Sequence, residues 1–341
     1  MRLNKDHPLY KADIDSILSL NGIDSLKGKS FLITGATGLI GVHLIDALMQ
    51  LGGISVFAVG RNKHNASFRL GEYYDHSLFH FIEQDVCEPF PPSLCVDYIV
   101  PLASNTHPMA YSKYPVETVR TNVQGAEHAL GLAYRCGATV LYPSTVEVYG
   151  NASDQRPMTE DYTGSLNLAT SRSCYTESKR VCEALCQSFI TEYGVRVLIV
   201  RLSRVFGPTM LESDSKASSQ FIKKALACED VVLKSKGEQS YSYTYVTDAV
   251  AAMLHVLLNG ENGIAYNVSN ETCNVRLKEF AQICASISNK TVVYDLPSKE
   301  EAKGYSIAMN AILDNTRLKA LGFIPKYSIK DAIQRTIEIL R

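Results

Sequence analysis

Apolar and polar residues follow two different periods through the first half of the chain. Short apolar runs indicate buried strands, and the longer stretches between them repeat apolar residues about every three to four positions, which indicates amphipathic helices. The runs predict strands at 29–34, 55–60, 79–85, 96–103, 138–142 and 195–203 and helices at 38–52, 114–135 and 172–193. Such alternation is typical of the α/β class, and we expect a Rossmann-like, doubly wound parallel sheet with helices on both faces.

The regular alternation ends near residue 204, where a polar, loop-like segment begins. Shorter and less evenly spaced elements follow it. Because ligands of open α/β sheets bind at the carboxyl ends of the strands, we expect a smaller α/β domain over that edge. The predicted units are an N-terminal helical extension (1–28), a dinucleotide-binding domain (29–203, with 241–268 returning to it) and a C-terminal substrate-binding domain (204–240 and 269–341).

Composition and charge narrow the possible functions. The 341 residues are 46% hydrophobic and carry a net charge of −1, so no basic surplus indicates a nucleic acid or a membrane surface as partner. No apolar run approaches the roughly 20 residues of a membrane helix, and the N-terminal segment lacks a signal-peptide core. We predict a cytoplasmic protein with nine reduced cysteines. Cys182 and Cys186 lie one helical turn apart without further ligands nearby, so no metal site is predicted.

The segment TGATGLIG, residues 34–41, joins the first predicted strand to the first long helix. Glycine allows a tight turn and a close approach of the backbone to a pyrophosphate, which the helix N-terminus also attracts. A glycine triplet alone is weak evidence. Its position between a strand and a helix, however, predicts a dinucleotide site formed by Gly35, Gly38 and Gly41.

The end of the second predicted strand bears on which dinucleotide binds. An acidic residue there would hydrogen-bond the adenosine ribose and favour NAD, whereas this chain has Gly60-Arg61-Asn62-Lys63. Arg61 suits the 2′-phosphate of NADP, or else lies along the adenine ring. NAD and NADP therefore both remain open. Asp85, at the end of the third strand, is expected at the adenine amino group.

Tyr175 and Lys179 are four residues apart on a predicted helix, so their side chains share one face. A phenol with a pKa near 10 is a poor base at neutral pH, and a neighbouring ammonium group lowers that pKa. The spacing is common by chance. Here it follows the stretch PSTVEVYG (143–150), which places two hydroxyls and a carboxylate at the end of another predicted strand. We interpret the two segments as halves of one active site.

Several ordered motifs together give the chain a resemblance to the extended short-chain dehydrogenase/reductase family, the NAD-dependent nucleotide-sugar epimerases, dehydratases and decarboxylases. The resemblance covers about residues 29–340. It rests on the glycine loop, PLAS (101–104), Asn122 in VRTNVQG, STVEVYG, Tyr175 with Lys179, RLSRVFGP (201–208) and YTYVTDA (243–249).

The resemblance implies a role for each residue of the site. Thr145 would hydrogen-bond the sugar 4-hydroxyl, and Tyr175 would take its proton as C4 is oxidised. Lys179 would tune Tyr175 and bind the nicotinamide ribose, and Asn122 would hold the helix that carries both. The two long helices imply a homodimer. Expected cofactor contacts are Gly35, Thr37, Gly38, Leu39, Ile40, Gly41, Arg61, Asp85, Val86, Leu102, Ala103, Ser104, Asn122, Tyr175 and Lys179.

The residues after Thr145 bear on the fate of the 4-keto sugar. Sugar 4,6-dehydratases resemble T-D-E-V-Y-G, whereas Val146 replaces the first acid here and leaves Glu147 alone. This stretch, with SRSCYTESKR (171–180) and GPTM (207–210), is most similar to UDP-glucuronate decarboxylase. Glu147 is expected either to act as an acid/base or to orient Thr145 or water.

The chain also departs from the decarboxylase pattern. Asn310 or a neighbour stands where that family has an arginine for the substrate carboxylate, Tyr241 replaces a basic residue, and Arg204 replaces an asparagine. We therefore hypothesise a nucleotide sugar of unusual shape or an analogous activated polyol. Arg172 and Lys216 are either anion contacts or solvated surface charges. The candidate substrate contacts are Ser144, Arg172, Arg204, Lys216 and Tyr241.

Three functions remain open from sequence alone. The leading one is an enzyme that oxidises C4 of a nucleotide sugar with bound NAD(P), then epimerises or decarboxylates the sugar and returns the hydride. The second, favoured by Arg61, is an NADPH-dependent reductase or dehydrogenase of a keto or hydroxy substrate. The third is a non-catalytic dinucleotide sensor, against which the set of Thr145, Tyr175 and Lys179 argues.

Overall fold

The computed structural model describes residues 3–106, 108–151, 156–296 and 310–341. The strands, numbered along the chain, are β1 (Ser30–Thr34), β2 (Ser55–Gly60), β3 (Phe79–Glu83), β4 (Tyr98–Pro101), β5 (Thr139–Thr145), β6 (Arg196–Leu202), β7 (Arg204–Phe206), β8 (Val231–Leu233), β9 (Ser240–Tyr245), β10 (Ala265–Val268), β11 (Asn274–Arg276) and β12 (Val292–Tyr294). The α-helices are α1 (Pro8–Leu18), α2 (Leu39–Leu51), α3 (Lys63–Leu70), α4 (Pro108–Lys113), α5 (Pro115–Cys136), α6 (Ser173–Tyr193), α7 (Ala217–Leu226), α8 (Val246–Asn259), α9 (Leu277–Ile287), α10 (Thr316–Ala320) and α11 (Ile329–Leu340).

Seven strands form one parallel sheet in the order β10-β6-β5-β4-β1-β2-β3. From β1 the chain proceeds outward through β2 and β3, and it then crosses to the other side for β4, β5 and β6. The strand order therefore reverses between β1 and β4, which is where doubly wound sheets bind ligands. The prediction of a Rossmann-like α/β fold is confirmed.

Both faces of the sheet are covered by helices because its strands are apolar on both sides. On one face α5 and α6 pack against each other and bury Ala126 and Cys182 with Leu32 and Val140 of the sheet. On the other face α2 and α8 pack together over a second cluster that includes Phe31 and extends into the C-terminal part of the chain. The long helices α5 and α6 thus share a core with β5, whose end carries the PSTVEVYG stretch.

Helix α1 belongs to the second of these cores. It packs on α2 and α8 and buries Tyr10, Ile14 and Ile17. Asp13 is also fully buried, where it accepts hydrogen bonds from Tyr245 at 2.6 Å and from Arg335. The N-terminal segment therefore lies against helices on one face of the sheet.

Downstream of β6 the chain builds two small sheets, β11-β9-β7 and β12-β8, which pack with α7, α9 and α11. Strand β9 leads into α8, and β10 then pairs with β6 in the main sheet. Strand β5 is longer than predicted, because Ser144 and Thr145 remain in register with Arg201 and Leu202 of β6. Among the described residues, no helix has the length and apolar character needed to cross a bilayer.

Candidate active site

A cleft of about 410 Å³ lies at the carboxyl ends of β1, β4, β5 and β6. The segment after β7 contributes Leu211 and Asp214 to its wall. Asn122, Arg172 and Tyr241 are not part of the lining and lie behind or beside it. The predicted site residues that line the cleft are Gly35, Thr37, Gly38, Leu39, Ile40, Gly41, Arg61, Asp85, Val86, Leu102, Ala103, Ser104, Ser144, Thr145, Glu147, Tyr175, Lys179, Arg204 and Lys216.

The glycine loop leaves no room for side chains at two positions. Gly35 has a φ of +62°, and a Cβ there would lie 2.8 Å from the backbone nitrogen of Ala103. A Cβ on Gly41 would lie 2.5 Å from the carbonyl oxygen of Gly35. Both positions require glycine, since any other residue would collide with backbone atoms.

The N-terminus of α2 faces the same cleft. Gly38 precedes the helix, so no side chain caps its first N–H groups, which retain the partial positive charge of a helix N-terminus. The Thr209 hydroxyl donates to the carbonyl of Leu39 at 2.7 Å and fixes the first turn. The backbone N–H groups at Leu39 and Ile40 fit the pyrophosphate of a dinucleotide, whereas the Gly38 N–H donates to the carbonyl of Gly35 at 2.9 Å.

Arg61, which follows β2 and lines the cleft, is engaged by acidic side chains. Its Nη1 donates to Glu117 at 2.8 Å and lies 4.0 Å from an oxygen of Asp85. The hydrogen bond with Glu117 is the main cause of a raised pKa for Arg61. The other Asp85 oxygen accepts a hydrogen bond from the N–H of Cys87 at 2.9 Å. The positive charge that suggested NADP is therefore balanced within the protein.

Tyr175 is buried near the end of β5, where it lines the cleft together with Thr145. Thr145 is held in turn by the N–H of Glu147, which donates to its Oγ1 at 3.3 Å. Burial raises the pKa of Tyr175 above its ordinary value, and the negative charge of Glu147 adds to the rise. The neighbouring Thr145 hydroxyl and the positive charge of Arg172 lower the pKa of Tyr175 and so oppose this rise.

Lys179 lies one helical turn below Tyr175 and is likewise buried. Its ammonium donates to the carbonyl of Pro143 at 2.8 Å and lies 5.0 Å from the centre of the Tyr142 ring. Burial lowers the pKa of Lys179. The sequence predicted that this charge would depress the pKa of Tyr175, but in the structure the net shift of Tyr175 is upward because burial outweighs the opposing contributions.

Asn122 positions the helix that carries Tyr175. Its Nδ2 donates to Ser178 Oγ at 2.7 Å, and Ser178 Oγ donates to the carbonyl of Tyr175 at 2.9 Å. The predicted role in holding this helix agrees with these contacts, which run through Ser178. The separate prediction that Asn122 touches the cofactor stays a prediction; its amide is buried between α5 and α6, behind the residues that line the cleft.

Glu147 is held by two side chains from the start of α6. Arg172 Nη2 donates to both carboxylate oxygens at 3.0 and 2.9 Å, and Thr176 donates to one of them at 3.2 Å. The Arg172 guanidinium also lies over the ring of Tyr111, 4.4 Å from its centre. The ring of Tyr111 stacks on Tyr175 with centres 5.7 Å apart. A carboxylate of fixed orientation therefore lies beside the reactive phenol.

The buried phenol of Tyr175, the Thr145 hydroxyl and the glycine loop line the same cleft. A model of the NAD dependent epimerase/dehydratase family matches residues 31–269. The chain belongs to this family. The predicted family and the prediction that the protein is an enzyme are thereby confirmed.

Relatives and solved structures agree with this assignment. The chain is 34% identical to UDP-glucuronic acid decarboxylase 1 of Danio rerio over 315 residues, 91% of this chain and 72% of that protein. It is 34% identical to UDP-glucuronic acid decarboxylase 5 of Arabidopsis thaliana over 307 residues, 89% of this chain and 86% of that protein. The structure of UDP-glucuronic acid 4-epimerase from Bacillus cereus with UDP-glucuronic acid and NAD has the same fold, with a TM-score of 0.78 and 20% identity over 91% of this chain and 98% of that one.

Two predicted substrate contacts of this family member are engaged by the protein itself. Ser144 donates its hydroxyl to Glu183, which forms a two-point ion pair with Arg201 beneath the site. Lys216 lies 3.3 Å from Asp214, whose other oxygen accepts the Lys216 N–H. Both residues line the cleft, and their contact with substrate stays a prediction.

Arg204, which lines the cleft, lies against Tyr241 beside it. The guanidinium stacks on the Tyr241 ring, 3.8 Å from its centre. Asn310 is near them, since its side-chain oxygen accepts the N–H of Ser240 at 2.7 Å. Asn310 therefore holds the first residue of β9 in place.

Three contributors to the site had no recognisable signal in the sequence. Tyr111 supports Tyr175 from a helix outside the motifs, Glu117 neutralises Arg61 across the cleft, and Thr176 binds Glu147. Tyr111 and Glu117 act through contacts between segments that are distant in sequence, and the contribution of Thr176 depends on the face of α6 on which it lies. A family motif for Tyr175 and Lys179 does not specify any of them.

Proposed function

We propose that this protein is an NAD-dependent nucleotide-sugar decarboxylase that acts on a UDP-linked hexuronate through transient oxidation at C4. The observation that carries the proposal is that Tyr175 and Thr145 line one cleft with the glycine loop, with Glu147 fixed beside them by Arg172. The similarity to UDP-glucuronic acid decarboxylases over most of the chain supports this choice of substrate.

In the proposed reaction, side chains of the protein transfer protons to and from the sugar. Tyr175, in its phenolate form, takes the proton of the C4 hydroxyl, and Thr145 orients that hydroxyl. NAD, when bound, supplies the acceptor for the C4 hydride and later returns it. Lys179 lies below Tyr175, where its charge favours the phenolate.

Oxidation at C4 makes the hexuronate a β-keto acid. The bond between C5 and C6 then breaks, carbon dioxide leaves, and its electron pair passes to an enolate shared by C5 and the C4 oxygen. A proton is then added at C5. Glu147 lines the same cleft and would act as the general acid/base for that proton. Return of the hydride to C4 and of a proton from Tyr175 completes the product. Val146 is apolar and buried, so it supplies no acid for a competing loss of water.

We propose NAD as the cofactor. Support comes from Arg61, whose charge is balanced by Glu117 and Asp85, so that a 2′-phosphate would meet two carboxylates together with one guanidinium. The observation that favoured an NADPH-dependent reductase is therefore accounted for by contacts within the protein.

We also propose a homodimer that pairs α5 and α6 with their copies. These neighbouring helices expose Val116, Val119, Tyr134, Val181 and Tyr193, an unusual number of large apolar side chains for a solvated surface. Sedimentation velocity with wild type and with a Val181→Glu variant tests this assignment, since a charge in an apolar interface should shift the protein towards monomer.

Mass spectrometry of UDP-glucuronate incubated with the enzyme and NAD tests the proposed reaction. We expect a nucleotide-sugar product lighter by one carbon dioxide and no net accumulation of NADH at 340 nm. Tyr175→Phe should form no such product. An isomer of unchanged mass would show epimerisation and overturn decarboxylation. Stoichiometric consumption of added NADPH would instead establish a reductase.

A further inference from the structure

The positions at which the chain departs from the decarboxylase pattern lie together in space. Arg204 on β7 pairs in register with Tyr243 of β9, and its guanidinium lies on the ring of Tyr241 two residues earlier. Tyr241 in turn bridges to Ala311, directly after Asn310. Arg204 in the cleft lining therefore places a cation next to neutral side chains at 241 and 310, which lie beside the lining.

The other cations at the cleft are engaged by groups of the protein. Arg61 binds Glu117, Lys216 lies against Asp214, and Arg172 next to the cleft is occupied by both oxygens of Glu147. Lys179 donates to the carbonyl of Pro143. For the guanidinium of Arg204, the described parts of the chain provide the face of Tyr241 but neither a carboxylate nor a carbonyl.

Arg204 is held in place and is short of hydrogen-bond acceptors. Its Nε is buried without a hydrogen-bond partner among the described residues. A buried donor without a partner is costly, and a guanidinium presents a planar fork that matches the oxygens of a carboxylate or phosphate. The stack on Tyr241 fixes the plane of that fork and leaves its edge for a ligand.

The location of Arg204 selects the substrate rather than the dinucleotide as its ligand. Leu202, two residues before it, pairs in register with Thr145, which lines the cleft together with Tyr175. The charge of Arg204 also reaches Tyr111, whose pKa is raised to about 12 by burial and lowered in part by Arg172 and Arg204. Arg204 therefore lies near the reacting end of the cleft, away from the adenosine end marked by Arg61.

We infer that Arg204 is the anion anchor of the substrate subsite, binding an oxyanion of the nucleotide sugar in place of the cations absent from positions 241 and 310. The inference rests on the proposed function and deepens it by selecting an acidic substrate. The oxyanion is either the sugar carboxylate or the diphosphate, which present the same chemistry to a guanidinium.

Calorimetric titration of the NAD-loaded protein tests this anchor. The Tyr175→Phe background prevents turnover, and UDP-glucuronate, UDP-glucose and UDP are titrated into it with and without Arg204→Asn. We expect Arg204→Asn to weaken UDP-glucuronate by about tenfold or more, as for loss of a hydrogen bond to a charged group. Arg204→Lys should recover part of the affinity. Arg276→Gln removes an exposed arginine of β11 paired with Glu238 and controls for overall charge.

The pattern across ligands identifies the oxyanion. A loss confined to UDP-glucuronate establishes the sugar carboxylate, and an equal loss for all three ligands establishes the diphosphate. Unchanged affinities in Arg204→Asn, with normal binding by the parent, overturn the anchor and leave the proposed function standing. If the parent with Arg204 intact binds none of the three ligands, both the anchor and the proposed function are overturned.

Discussion

Arg172 donates hydrogen bonds to both carboxylate oxygens of Glu147, at 3.0 and 2.9 Å, and the resulting ion pair lies directly beside Tyr175. The two charges have opposite effects on the phenol. Glu147 raises the pKa of Tyr175 and Arg172 lowers it, in addition to the larger upward shift caused by burial. The ion pair therefore adjusts how readily Tyr175 accepts a proton, and each partner can be removed separately.

The pH dependence of C4 oxidation should move in opposite directions in the two variants. Tyr175 must be deprotonated to accept the hydroxyl proton, so activity falls as the pH drops below its pKa. Glu147→Gln removes a negative charge, lowers that pKa and should shift the acidic limb to lower pH. Arg172→Gln removes a positive charge and should shift it to higher pH. Single-turnover formation of NADH at 340 nm across pH measures both, and shifts in the same direction would contradict this electrostatic role.

The steps that follow C4 oxidation should depend on Glu147 more strongly than C4 oxidation itself does. Glutamine keeps the size of the side chain and an acceptor for Thr176, but it cannot exchange a proton. We expect Glu147→Gln to slow product formation from UDP-glucuronate by about 10²–10⁴-fold, the usual contribution of a positioned acid/base. Enzyme-bound NADH should accumulate as a result. If product formation and C4 oxidation slow equally, Glu147 instead serves to orient Thr145.

The glycine loop provides a pair of variants with opposite expected effects on stability. Gly35→Ala places a Cβ 2.8 Å from the Ala103 nitrogen at a φ of +62°, so it should destabilise the protein by about 2 kcal/mol or more and weaken NAD binding. Gly131→Ala, within α5, has nothing within 4 Å of the new Cβ. It should stabilise by about 0.5–1 kcal/mol because alanine favours the helix. Urea unfolding with and without NAD measures both effects.

The choice between NAD and NADP should respond to Glu117. Glu117→Gln removes the main partner of Arg61 and releases its guanidinium towards the adenosine ribose. NADP affinity should rise relative to NAD by up to about fivefold, since an exposed ion pair contributes about 1 kcal/mol or less. Calorimetric titration of both dinucleotides into wild type and Glu117→Gln tests this. An unchanged ratio would mean that Arg61 does not approach the 2′ position.

Features that depend on local patterns could be predicted from the sequence, whereas contacts between distant residues could not. The alternation of apolar runs predicted the sheet, because a strand buried on both faces needs a nearly continuous apolar run. The glycine loop and Tyr175 with Lys179 were identifiable since their spacing is local. The balance of charge around Arg61 could not be predicted, because its partner Glu117 lies 56 positions away in sequence, on α5.

The pKa of Tyr175 could not be predicted from the sequence either, because it depends on how deeply the phenol is buried. The sequence shows that Lys179 shares a helix face with the phenol, but the depth of the site and the carbonyl of Pro143 that receives the ammonium are properties of the folded chain. The N-terminal segment is a further example. Its mixture of charged and apolar residues predicted a helix, and the structure adds that this helix buries Asp13 against Arg335 of the last helix.

The Asp13–Arg335 contact makes the N-terminal helix part of the stability of the whole fold. Asp13 is fully buried, and Arg335 donates to it through Nε at 3.0 Å and Nη2 at 2.6 Å. Arg335→Gln should lower the free energy of unfolding by about 3 kcal/mol, because it leaves a buried carboxylate without its cation. Lys11→Gln breaks an exposed ion pair with Asp6 and should change it by less than about 0.5 kcal/mol.

The sign of the pH dependence distinguishes this ion pair from a simple packing loss. Burial raises the pKa of Asp13 and Arg335 lowers it, so removal of Arg335 raises the pKa of Asp13 further. The cost of Arg335→Gln arises from the ionised carboxylate and should therefore shrink as the pH falls and Asp13 becomes protonated in both proteins. Urea unfolding of wild type and variant at neutral and mildly acidic pH measures the difference. A gap that stays constant with pH would assign the effect to lost packing of the arginine side chain.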